Sequence, residues 1–122
     1  MPRPRPATLD ENATRRRLLE DLPGWSLTDG WIHRVYRTDG WAHALLVANH
    51  IGFLAEAADH HPDLIIGWNR VEVRLRTHHV DGVTDKDFEL AGRIETSTLW
   101  CPHAGSALDG PSKPWVEGPV GA

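Results

Sequence analysis

The chain has 122 residues, 40% hydrophobic and 25% charged, the size and balance of one ordinary globular domain. A net charge of -4 offers no field to draw nucleic acid or an anionic membrane, and the single cysteine, Cys101, has no partner for an internal disulfide. The longest aliphatic run, Ala44 to Ala48, falls far short of the roughly 18 residues of a membrane span, and no apolar stretch follows the N-terminal arginines as in a secretory signal. The expectation is a cytoplasmic protein.

Met1 to Ala7 alternates proline with arginine and reads as a flexible arm, residues 1–7. Thr8-Leu9-Asp10-Glu11 has the Thr-x-x-Glu form of a capping box, so a first helix is expected from there to about Asp21. Pro23-Gly24 breaks it. Gly24 to Leu27 and Ile32 to Arg37 read as two strands joined by a turn at Thr28-Asp29-Gly30. A second helix is expected from Gly40 to about Asp59, with Trp41, Ala44, Leu45, Ala48, Ile51, Ala55 and Ala58 as its buried stripe.

His60-His61-Pro62 ends that helix, because proline disfavours helical geometry in the residue before it. Asp63 to Ile66 is a short apolar strand. Trp68 to Thr77 reads as one long strand in which Val71, Val73, Leu75 and Thr77 alternate with Glu72, Arg74 and Arg76. After the Asp81-Gly82 turn, Thr84 to Asp87 opens a third helix that continues through Phe88, Ala91, Ile94 and Glu95. The order helix, strand, strand, helix, strand, strand, helix, with short links inside each strand pair, predicts an α+β fold: an antiparallel four-stranded sheet with three helices on one face. The body is assigned to residues 8–96, and the Pro/Gly-rich segment 97–122 reads as a tail with Trp100 and Trp115 as anchors.

Eight histidines are a high count for this length, and four of them, His60, His61, His78 and His79, fall between two neighbouring element ends. Along an unbroken strand, Trp68 and His78 share the polar face, so an aromatic ring beside imidazoles suits a planar, hydrogen-bonding ligand and proton transfer on it. Each residue also has a plain structural reading. His60 complements a helix C-terminus, strand-end histidines are ordinary surface polar groups, and Asp87 caps the third helix. A zinc site is disfavoured: adjacent histidines chelate poorly and neither H-x3-H nor C-x2-C spacing occurs.

The set is more specific than its members. Glu56-x3-His60-His61-Pro62, Trp68-Asn69, Leu75-x-Thr77-His78 and Gly82-Val83-Thr84-x2-Asp87 follow in an order and spacing that resembles the pterin-4a-carbinolamine dehydratases, over about Leu9 to Ile94. The resemblance implies an α+β enzyme without metal or organic cofactor that dehydrates 4a-hydroxy-tetrahydropterin to the quinonoid dihydropterin, recycling the cofactor of aromatic amino-acid hydroxylases. It implies His60, His61, His78 and Asp87 as the catalytic set. It implies Trp25, Glu56, Asp59, Pro62, Arg76, Thr77 and His79, together with the three histidines, as substrate contacts. It also implies a homodimer or homotetramer with a small-molecule pterin as its partner. The competing reading on the same fold is a non-catalytic dimerisation, assembly or coactivator module, which has no need of all three motif histidines.

Overall fold

Asp10, rather than Thr8, caps the first helix, its side chain accepting the Ala13 N–H at 2.7 Å. The reason is tertiary: the Leu9 N–H is tied to the Val83 carbonyl at 2.9 Å, and Thr8 packs against Gly82, where a Cβ would meet the Thr8 methyl at 2.9 Å. The computed structural model describes residues 5–118, so residues 1–4 of the expected arm and 119–122 of the tail lie outside the described residues.

The elements are α1 (Glu11–Asp21), β1 (Ser26–Thr28), β2 (Trp31–Arg37), α2 (Trp41–Ala58), β3 (Asp63–Gly67), β4 (Arg70–Leu75) and α3 (Asp85–Thr98), with a 3-10 turn at His78–Val80. The fold is α+β, and the four strands form one antiparallel sheet in the order β1-β2-β4-β3. Asp29 and Gly30 both take positive φ, 53° and 82°, which closes the β1–β2 hairpin in two residues.

Alternation decides which face is covered. Ile32 and Tyr36 of β2 and Val71, Val73 and Leu75 of β4 are fully buried, against Leu18 of α1 and Leu22 just beyond its end, Val47 and Ile51 of α2, and Phe88, Ala91 and Ile94 of α3. Each such leucine, isoleucine, valine or phenylalanine stabilises by roughly 1.5–3 kcal/mol relative to exposure. Their sheet neighbours His33, Glu72 and Arg74 remain half-buried on the other face.

Three expectations are corrected. The long strand starts at Arg70, because Trp68 and Asn69 form the turn between Gly67 and Arg70, and it ends at Leu75, because the chain folds back through a Thr77–Gly82 bridge. Trp68 and His78 therefore do not share a strand face. On α2, Trp41, Leu45 and Ala58 are exposed while Val47 is buried, so the covered stripe is narrower and rotated. In the C-terminal segment Trp100 is exposed, whereas Trp115 packs on the core and lies 4.6 Å from the His43 ring. There the Asp39 N–H donates to the Trp115 carbonyl and the Glu117 N–H to the Arg37 carbonyl, so residues 115–117 strap the end of β2.

Candidate active site

Helix α2 stops at Asp59, which takes a left-handed conformation (φ 49°, ψ 45°) that aspartate tolerates better than most residues. The His60 N–H returns to the Ala55 carbonyl at 3.1 Å, and Pro62 prevents the helix from resuming. This turn delivers the His60 ring to the first turn of α3. There Nε2 of His60 lies 2.6 Å from Oδ1 of Asp87, with the carboxylate fully buried and the imidazole 13% exposed.

Asp87 is held by the start of its own helix. Its Oδ2 accepts the Thr84 N–H at 2.9 Å and the Thr84 side chain in turn accepts the Asp87 N–H, the two bonds of a capping box, while Thr84 Oγ1 also accepts the Lys86 N–H. Oδ2 also accepts the Thr77 hydroxyl at 2.9 Å, and the Thr77 and Thr84 hydroxyls meet at 2.7 Å. Thr77, Thr84 and Asp87 are all buried. The two histidine-bearing segments are thus joined through one carboxylate: His61 follows His60, and His78 follows Thr77.

The other motif residues are open to solvent. His61 lies 3.2 Å from Glu56 Oε2, and both side chains are more than half exposed. His78 stands edge-on to Trp31 with ring centroids 5.7 Å apart, and the Arg76 guanidinium lies 4.5 Å over the same tryptophan while pairing with Asp81 at 2.6 Å. His79 is exposed and its carbonyl accepts from Arg5. Asp59 is exposed and Pro62 half-buried.

Beside His60 a groove of about 1240 Å³ runs between the end of α2 and α3, lined by Asp59 and His60 on one wall and by Lys86, Glu89 and Arg93 on the other. Sequence reasoning missed Lys86, Glu89 and Arg93; their spacing of three and four along α3 is the signal that places them on one face. It also missed Trp31, whose contact with His78 depends on the pairing of β2 with β4. Among the described residues, no group of three or more histidine, cysteine, aspartate or glutamate side chains is arranged to hold a metal ion, and no helix is long and apolar enough to cross a membrane.

Trp25 lies elsewhere, 4% exposed in the core, with its indole N–H donated to Glu95 at 3.0 Å. The same Glu95 carboxylate accepts Nε and Nη2 of Arg34 at 3.0 and 3.3 Å and the Tyr36 hydroxyl at 2.6 Å. Glu95 is two turns beyond Asp87, roughly 12 Å along the helix axis.

A family model described as pterin 4 alpha carbinolamine dehydratase matches residues 7–97. A protein of Chloroflexus aurantiacus, provisionally named pterin-4-alpha-carbinolamine dehydratase, is 42% identical over 95 residues, covering 78% of this chain and 96% of that protein. A protein of Aquifex aeolicus with the same provisional name is 40% identical over 80 residues, covering 66% of this chain and 81% of that one. Among solved structures, one described as a transcriptional coactivator/pterin dehydratase from Brucella melitensis is similar with a TM-score of 0.66 at 31% identity, over 72% of this chain and 95% of that chain. The matched span contains every element from α1 through the last turns of α3, and with it His60, His61, His78 and Asp87: the chain belongs to the pterin 4 alpha carbinolamine dehydratase family.

Proposed function

We propose that this chain dehydrates a 4a-hydroxy-tetrahydropterin to the quinonoid dihydropterin in the cytoplasm, without metal or organic cofactor, in the recycling that follows aromatic amino-acid hydroxylation. The body 8–96 carries the activity. The observation that carries the reading is the 2.6 Å contact of His60 with buried Asp87, which joins the two motif segments beside an open groove.

The reaction breaks the C4a–O bond. One proton goes to the departing hydroxyl, which leaves as water, and one leaves N5, whose electron pair closes the C4a–N5 double bond. Imidazoles, with an ordinary pKa of about 6.5, serve as acid and base at neutral pH. His61 and His78 are open to solvent and suit the two transfers, while His60, fixed by Asp87, orients the pterin. Glu56, Asp59, Pro62 and the Arg76 to His79 segment adjoin these histidines in the chain.

The test is the dehydration of freshly generated 4a-hydroxy-tetrahydropterin followed by ultraviolet absorbance. Wild type accelerates it, and His61→Ala and His78→Ala each slow it by about 10²–10⁴-fold. Both variants keeping the wild-type rate overturns the assignment of these two residues.

A second reading, a non-catalytic dimerisation or coactivator module, is favoured by one observation: Leu45, Leu46 and Phe53 stand exposed on α2, 37%, 54% and 72% accessible. Folded wild type giving no acceleration over buffer selects it. The exposed helix also supports self-association as a homodimer or homotetramer under either reading.

A further inference from the structure

Each hydroxyl around Asp87 has one proton to give, and this fixes the direction of the whole chain of bonds. A carboxylate only accepts, so the Thr77 proton points to Asp87 Oδ2. The 2.7 Å contact between the two threonines must then be donated by Thr84, whose oxygen receives the Lys86 N–H. The order is Lys86 N–H to Thr84, Thr84 to Thr77, Thr77 to Asp87, with every hydroxyl both donor and acceptor. Such chains polarise and strengthen one another in a dry interior, and all three side chains are buried.

With Oδ2 filled by Thr77 and by the Thr84 N–H, the carboxylate cannot turn without breaking two bonds. Oδ1 is left for His60. We infer that Thr77 and Thr84 are positioning residues that act through Asp87 to hold His60 in the single tautomer with its proton on Nε2, leaving Nδ1 as a fixed acceptor for an N–H of the bound pterin. The tautomer of a neutral imidazole follows from the bond its other nitrogen makes, and here that bond goes to a group that only accepts. The inference rests on the dehydration reading for the identity of the ligand; the tautomer itself does not. It also gives Thr77 a role without side-chain contact to substrate, since its hydroxyl is committed inward.

The experiment uses the full chain labelled with 15N-histidine, the His60 signals being identified by their loss in His60→Gln. Imidazole nitrogen spectra are recorded near neutral pH for wild type, Thr77→Val, Thr84→Val, Thr77→Ser and Thr84→Ser. Wild type shows His60 protonated at Nε2 alone. The valine variants show a mixture of tautomers and the serine variants restore the single form. In parallel, KM for the hydroxypterin rises about tenfold in the valine variants, the loss of one oriented hydrogen bond, with kcat changed less, and serine restores it. A wild-type proton on Nδ1, or folded valine variants with an unchanged tautomer, overturns the inference. Where valine does not fold, Thr77→Ala repeats the comparison without an added branch against the carboxylate. Absence of dehydration by wild type defeats the reaction reading only, because the nitrogen spectra still decide the tautomer.

Discussion

The Tyr36 hydroxyl donates to Glu95 Oε1 over 2.6 Å on the inner face of β2, where the tyrosine is fully buried. Burial pushes this phenol far above its ordinary range, and the Glu95 charge and hydrogen bond push it further. The unfolded chain releases the same proton near pH 10, so the folded state holds it where the unfolded state does not. This contribution to stability is complete below about pH 10 and falls above it, by up to about 1.4 kcal/mol per pH unit. Tyr36 is the only tyrosine in the chain, so tyrosinate absorbance reads it without ambiguity. The folded protein shows no tyrosinate as pH passes 10 until it unfolds, and Tyr36→Phe removes this part of the alkaline slope. A reversible titration near 10 in folded protein contradicts it.

Arg34 is 6% exposed and depends on Glu95 for its charge partner. Glu95→Leu leaves that guanidinium buried without compensation, at an expected cost of about 3–5 kcal/mol in urea unfolding. The rate per folded molecule stays at the wild-type value, because the cluster is far along α3 from Asp87. An equal fall in rate and stability argues instead that this cluster supports the site.

Leu46 and Phe53 point out of α2 into solvent. Leu46→Glu and Phe53→Glu place charges on that apolar surface, and under the self-association proposed above light scattering is expected to show a fall in mass toward the monomer with helix content retained. An unchanged mass in both variants overturns the assignment of self-association to this face of α2.

The parts of the fold legible in the sequence are those that local spacing decides. Thr84 and Asp87 stand three apart and form the capping box that their spacing predicts, and Asp29-Gly30 makes the expected hairpin turn. The misread parts hinge on partners distant in the chain. Thr8 has the cap spacing, but the Leu9–Val83 bond pulls the helix start to Asp10. His78 meets Trp31 rather than Trp68 because Ile32 pairs with Leu75, a register that no local pattern carries. Arg34 lies in strict alternation between Ile32 and Tyr36, a signal that a charge points inward, yet its partner Glu95 is 61 residues away. The motif histidines could be picked out from spacing, whereas the bond between His60 and Asp87 spans 27 residues and is supplied by the fold.

Asp87 closes the first turn of α3 with one oxygen and grips His60 with the other. A single atom group is therefore both a piece of secondary structure and a piece of the proposed reaction centre, and the two cannot be separated by degrees. If the first turn of α3 frays, the imidazole is released at the same moment, before the core beneath it has opened. On the dehydration reading proposed above, inactivation then precedes melting, and thermal tolerance of the activity is set by the local opening of one helical turn rather than by the stability of the whole domain.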